Sequence, residues 1–220
     1  TDNASEQPME NATSLWILIV STSAIALVHT LAPDHWVPFV SIGRAQKWST
    51  GKLVWVTLLS GLGHVGSSIV IGSIGLAFGF GLTGLQAVES QRAEVAGMLL
   101  IGFGLAYAVW GLKQVRSHKH QHIDTRRTVT IWTLVAIFVL GPCEPLIPLM
   151  FISATHGWGA VILVSGVFSL ITIAMMLLQA LLVYKGIGFL KLLNINHHYS
   201  HPIAGLVIAA TGIMVMFLGI

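Results

Sequence analysis

Charge is what this 220-residue chain has least of. Lys, Arg, Asp and Glu together make 9% of it, against about 25% in soluble domains, which excludes an ordinary water-exposed surface. Cysteine occurs once, at Cys143, so neither a disulfide framework nor a dithiol relay forms within the chain. HExxH and Gly-x-Ser-x-Gly are both missing, and with them the metalloprotease and serine-hydrolase designs those motifs carry. No nucleotide-binding motif is present either, so ATP does not drive this chain directly and it reads as a non-enzyme. The net charge of +3 and the pI near 9.3 imply no nucleic-acid partner, because the basic residues fall in short segments between apolar runs.

Apolar residues are plentiful: 55% of the chain is hydrophobic and the mean hydropathy is +0.82. The class this implies is all-α, a polytopic membrane protein in contact with lipid. Hydropathy predicts six transmembrane helices near 15–43, 52–81, 93–113, 128–153, 158–184 and 202–220. The first is too long for one straight span, since 29 residues would cover about 43 Å at 1.5 Å each against about 30 Å of hydrocarbon. Pro33 and Pro38 predict a break there, and Pro142, Pro145 and Pro148 predict another in the fourth.

Ten of the eleven basic residues fall in the first, third and fifth connections, and Arg92 alone falls on the other side. This bias predicts a plasma (inner) membrane protein with those connections in the cytoplasm and both termini outside. Segment 1–14 lacks the basic start and apolar core of a signal peptide and reads as a solvated extracytoplasmic tail.

The chain also repeats itself weakly. Ala32-Pro33-Asp34-His35 aligns with Gly141-Pro142-Cys143-Glu144, Ser60-Gly61 with Ser165-Gly166, and Ala96-Gly97 and Gly104 with Ala204-Gly205 and Gly212. Near-constant offsets in the same order predict two three-helix halves, 15–113 and 128–220. Three spans per half require inverted topology, with broken helices 1 and 4 opening the halves.

Ionisable side chains inside apolar spans are costly and face a pathway or a partner. His29 lies about 21 Å into its span, His64 about 18 Å from Lys52, and Glu144 about 26 Å from Arg127, all at helical rise. These depths converge on the middle of the membrane. His29, Asp34, His35, His64, Cys143 and Glu144 are therefore the candidate ligands. Imidazole with carboxylate or thiolate suits nickel, cobalt, zinc or iron, whereas calcium and magnesium take all-oxygen sets. Nothing is expected to be permanently bound, the metal being cargo. Ser67, Ser68 and Thr172 read as helix–helix hydrogen bonds, and Glu89 and Glu94 as solvated. His118, His120 and His122, in the His-rich cytoplasmic segment 114–127, read either as a loose metal-collecting tract or as a solvated basic loop. His197, His198 and His201 form a weaker group of that kind.

His29-Thr-Leu-Ala-Pro-Asp34-His35 resembles the H-x4-D-H pattern of the nickel/cobalt transporter superfamily, and Leu62-Gly63-His64 its second-span Leu-Gly-His signature. The resemblance implies that His29, Asp34, His35 and His64 select the metal, with nickel or cobalt favoured. The six-span count is similar to the short branch that includes urease-associated membrane proteins and nickel/cobalt efflux proteins. Gly141-Pro142-Cys143-Glu144-Pro145 resembles the proline-broken fourth span of six-span exporters and thiol-redox membrane proteins. The function expected is secondary transport of a divalent transition metal by alternating access, with protons as a candidate counter-ion and a cytoplasmic metal-handling protein as a candidate partner. The alternative is a membrane haem or electron-transfer protein that uses the histidines as axial ligands.

Overall fold

Proline decides where the long apolar stretches break. In the computed structural model, which describes residues 3–117, 124–189 and 199–218, α1 runs Asn3–Thr30 and stops because the residue before Pro33 is forced out of helical conformation. Ala32 is extended at φ −54° and ψ 131°. One 3-10 turn, Pro33–His35, follows, and α2 (Val37–Ala45) restarts with Pro38 in its first turn, where a missing N–H costs nothing. The second half repeats the pattern. Helix α5 (Asp124–Leu140) ends before Pro142, residues 141–145 are unwound, and α6 (Leu146–Ala154) carries Pro148 in its first turn.

The remaining helices are long: α3 (Thr50–Phe78), α4 (Leu82–Ser117), α7 (Trp158–Phe189) and α8 (Ser200–Leu218). The described residues contain no strand. Thr50–Phe78, Leu82–Arg116, Trp158–Gly186 and Ser200–Phe217 are long and apolar enough to cross a membrane, while Ser14–Thr30 and Thr130–Leu140 are shorter apolar helices. Large apolar side chains point outward along most of them, among them Val28, Val70, Ile162, Leu170 and Phe217, as a lipid-facing surface requires.

Two boundaries differ from the hydropathy reading. The third helix begins at Leu82 rather than near 93, because Glu89 and Arg92 neutralise each other against the protein interior instead of marking a loop. Helix α1 begins at Asn3 rather than near 15, so the polar stretch 3–14 is helical; its Ala, Glu, Gln and Met favour helix.

Helix α1 packs along α7 and α5 along α3, α3 also meets α7, and α4 packs against α8 from Gly97 to Gly111. The α4–α8 contact depends on glycine. A Cβ on Gly104 would lie 2.6 Å from the carbonyl oxygen of Gly205, and one on Gly212 would lie 2.9 Å from that of Gly97. Two apolar clusters form the interior. One gathers Phe39, Ile42, Trp48, Leu53, Tyr107 and Phe138, and the other Ala26, Val65, Cys143, Leu146, Met150 and Phe168. The first cluster is closed at its end by a polar knot. Trp48 Nε1 donates to Gln46 Oε1 (3.0 Å), Tyr184 Oη donates to the Trp48 carbonyl (2.6 Å), and Tyr107 Oη lies 2.8 Å from His201 Nδ1.

Candidate metal centre

The two proline breaks carry their side chains to one place, between the two apolar clusters. His29 comes from the last turn of α1 and His35 from the 3-10 turn. His64 comes from the middle of α3 and Cys143 from the unwound segment after α5. Gly63 makes the last approach possible, since a Cβ there would lie 2.5 Å from Val139 Cγ2 of α5. The His29 ring packs 6.0 Å from that of Phe168, and the His64 ring 6.3 Å from that of Phe138.

One potential ligand atom each from His29, His64 and Cys143 lies within 4.8 Å of the others. Cys143 Sγ is 3.6 Å from His29 Nε2, and His35 Nε2 is 3.1 Å from the same nitrogen. Metal–sulfur and metal–nitrogen bonds of about 2.3 and 2.0–2.1 Å at tetrahedral angles place S and N about 3.6 Å apart and two N atoms about 3.4 Å apart. The Cys143–His29 and His35–His29 spacings are thus close to those within one coordination sphere, and His64 joins His29 and Cys143 at up to 4.8 Å. His35 and Cys143 are fully buried or nearly so, and His64 is buried with neither ring nitrogen hydrogen-bonded among the described residues. A buried imidazole with two unmet nitrogens costs free energy unless a ligand meets one of them.

Asp34 stands behind His35 rather than beside the other three. His35 Nδ1 donates to Asp34 Oδ1 at 2.9 Å, which leaves the Nε2 lone pair of His35 aimed at His29 Nε2. Two imidazole nitrogens 3.1 Å apart need a proton or a cation between them. Glu144 is exposed and lies outside this group. It lines, with Asp34, His29 and His64, a cavity of about 550 Å³ whose other walls are mostly apolar. The cavity gives the cluster an opening between α1, α4 and α5.

A second polar group adjoins the centre, and the sequence reading misplaced both its charges. Glu89 is 2% exposed, not solvated. Arg92 lies inside the fold rather than in an outer connection, paired with Glu89 Oε1. Its guanidinium also donates to Ser67 Oγ (2.6 Å), Ser68 Oγ (3.3 Å) and the carbonyls of Val139 (3.0 Å) and Gly141 (3.3 Å). Ser68 Oγ donates to Glu89 Oε2 (3.1 Å) and accepts from the Cys143 N–H (3.0 Å). Ser67 and Ser68 thus join helices, as read from the sequence, whereas the Thr172 hydroxyl is buried and unpartnered among the described residues. The signal for the pair was Glu and Arg at i and i+3, flanked by apolar sequence on the helix. Glu94 is exposed.

His201 sits on α8 bonded to Tyr107, so it belongs to the polar knot rather than to an ion-collecting loop. His197, His198 and the triplet His118, His120 and His122 lie outside the described residues. Comparison of the chain with protein-family profiles, curated proteins and solved structures returns no match.

Proposed function

We propose that the chain is a secondary transporter of a divalent transition-metal ion, which binds transiently between His29, His35, His64 and Cys143. The observation that carries this reading is the buried imidazole–thiol cluster. The two spacings about His29 match edges of one tetrahedral coordination sphere, and neither His64 ring nitrogen makes a hydrogen bond among the described residues. Nitrogen and sulfur ligands select nickel, cobalt, zinc or iron over calcium and magnesium, and the H-x4-D-H resemblance favours nickel or cobalt.

Transport, rather than permanent storage, is supported by an opening on one side of the cluster and a closed polar path on the other. The 550 Å³ cavity reaches His29 and His64, with Asp34 and Glu144 on its wall to draw in a cation. On the other side, Ser60 and Thr57 lie one and two turns from His64 on the same face of α3, with buried hydroxyls that lack partners among the described residues. The polar knot around Trp48, Tyr107 and His201 shuts that end. One side open and the other packed is the arrangement expected of one state in alternating access. Metal entry displaces protons from imidazole and thiol, which links cargo to a proton gradient.

Six crossings follow if each broken pair, α1 with α2 and α5 with α6, counts as one span. The inverted repeat draws support from the α4–α8 contact. The sequence equates Gly97 with Gly205 and Gly104 with Gly212, and the structure pairs Gly97 with Gly212 and Gly104 with Gly205. An exchange of halves converts each contact into the other. The histidine tract at 118–122 is then a cytoplasmic docking point for a metal-handling protein. The haem alternative is disfavoured because the His29–His35 and His35–His64 ring centroids, 4.5 and 5.1 Å apart, are closer than two axial imidazoles, and His35 stands edge-on to both rings of the remaining pair.

The test is equilibrium binding of Ni2+, Co2+ and Zn2+ to detergent-purified protein, paired with Co2+ uptake into proteoliposomes. Stoichiometric binding and flux, both lost in His64→Ala, are the expected results. A protein that binds no transition metal, or a His64→Ala variant that transports normally, overturns the reading.

A further inference from the structure

An arginine beside a cation site is an anomaly, and its hydrogen bonds explain it. Breaking a helix in apolar surroundings strips partners from the last carbonyls of α5 and the first N–H groups that follow. Arg92 supplies two donors to the carbonyls of Val139 and Gly141, and Ser68 supplies an acceptor to the N–H of Cys143. Glu89, on the same helix as Arg92, holds both: it pairs with the guanidinium and accepts from Ser68. Arg92 of α4 and Ser68 of α3, both held by Glu89, therefore grip the end of α5 at 139 and the unwound segment at 141 and 143. None of their hydrogen bonds goes to an imidazole. Because Glu89 cancels the arginine charge, the network fixes backbone without adding a positive potential next to the centre.

We propose that Ser68, Glu89 and Arg92 form a positioning network that sets the unwound segment between α5 and α6, so that the Cys143 sulfur faces His29 and His64 as a metal ligand. The inference rests on the reading that the cluster binds a transition metal. It assigns the network no contact with the ion. Its job is to place one ligand of the four, the only one contributed by the second half of the chain, and so to couple that half to the cargo.

The experiment uses Co2+ as the probe on the full chain in detergent and reads two quantities, the affinity and the thiolate-to-cobalt charge-transfer band per bound ion. Wild type should show the band, and Cys143→Ser should bind without it. Ser68→Ala removes the acceptor of the Cys143 N–H and should weaken binding about 10–100-fold with a diminished band. Ser68→Thr, which keeps the hydroxyl, should restore both. Arg92→Lys retains the charge opposite Glu89 but cannot span four acceptors, and should behave like Ser68→Ala while its thermal midpoint shows it folded. An undiminished band and unchanged affinity in folded Ser68→Ala and Arg92→Lys would overturn the proposal. So would Co2+ binding by wild type without any thiolate band, which leaves the metal site standing. Absence of Co2+ binding altogether would instead strike the transporter reading beneath it.

Discussion

Asp34 and His35 show how, on the proposed reading, one carboxylate would orient a ligand imidazole without itself binding the ion. The 2.9 Å bond from His35 Nδ1 fixes the tautomer and turns Nε2 toward His29, the arrangement by which outer carboxylates orient metal-binding imidazoles. Replacing Asp34 with Asn removes the acceptor's charge and lets the His35 ring choose its other tautomer. Asp34→Asn should lower Co2+ affinity about 10–100-fold while the thiolate-to-cobalt band survives, because Cys143 is held from elsewhere; titration with absorbance detection separates the two effects. Loss of the band in Asp34→Asn would mean that both sides of the cluster move as one. His29, Asp34 and His35 in the H-x4-D-H pattern, and His64 in Leu-Gly-His, stood out in the sequence because each is an expensive polar group in an apolar run. Glu89 and Arg92 were not legible for the opposite reason. Neighbouring opposite charges resemble a loop, and only the packing of α4 against Ser67, Ser68 and the α5 terminus shows them to be interior.

At the scale of elements, proline placement was readable and the partners of the breaks were not. Both broken stretches stop where a proline forbids helix, yet each freed end is met by a side chain distant in sequence. Gln179 of α7 donates to the Thr30 carbonyl at 3.1 Å, as Arg92 does for α5. Without those donors an unwound segment in hydrocarbon would leave its carbonyls unsatisfied at a cost of several kcal/mol. Glycine-mediated contact between α4 and α8 is the second feature of this scale. Gly104→Ala forces a methyl into the Gly205 backbone. Overpacking of that kind costs about 1–3 kcal/mol, and the thermal midpoint in detergent should fall. Gly102 is two residues away, and a Cβ added there would have nothing within 4 Å. Gly102→Ala should leave the midpoint unchanged or raise it, since alanine favours helix by about 0.5–1 kcal/mol. Equal effects from the two substitutions would deny α4–α8 packing its dependence on the missing side chain.

For the whole molecule, the order of long helix, break, short helix and two further helices occurs twice among the described residues. What composition could not anticipate is that the clustered side chains divide unequally, with three histidines from before residue 114 and one cysteine from after residue 127. Only the packing of α3 on α5 brings them together. The same packing makes orientation testable. Helix α3 has 29 residues, about 43 Å at helical rise, more than the roughly 30 Å hydrocarbon core, so Ser49 and Gly81 at its two ends belong to opposite faces. The basic residues cluster on the Ser49 side, with Arg44, Lys47 and Lys52 near it and Lys185 at the far end of α7, which predicts that this face is cytoplasmic. In a Cys143→Ser background, Ser49→Cys and Lys185→Cys should react with an impermeant maleimide in inside-out vesicles only. Gly81→Cys and Thr155→Cys should react only in right-side-out ones. Labelling of Ser49→Cys and Gly81→Cys from the same side would break the six-span topology. A clean reversal of both pairs would keep the topology, turn the molecule over, and place the cavity beside Glu144 on the cytoplasmic face.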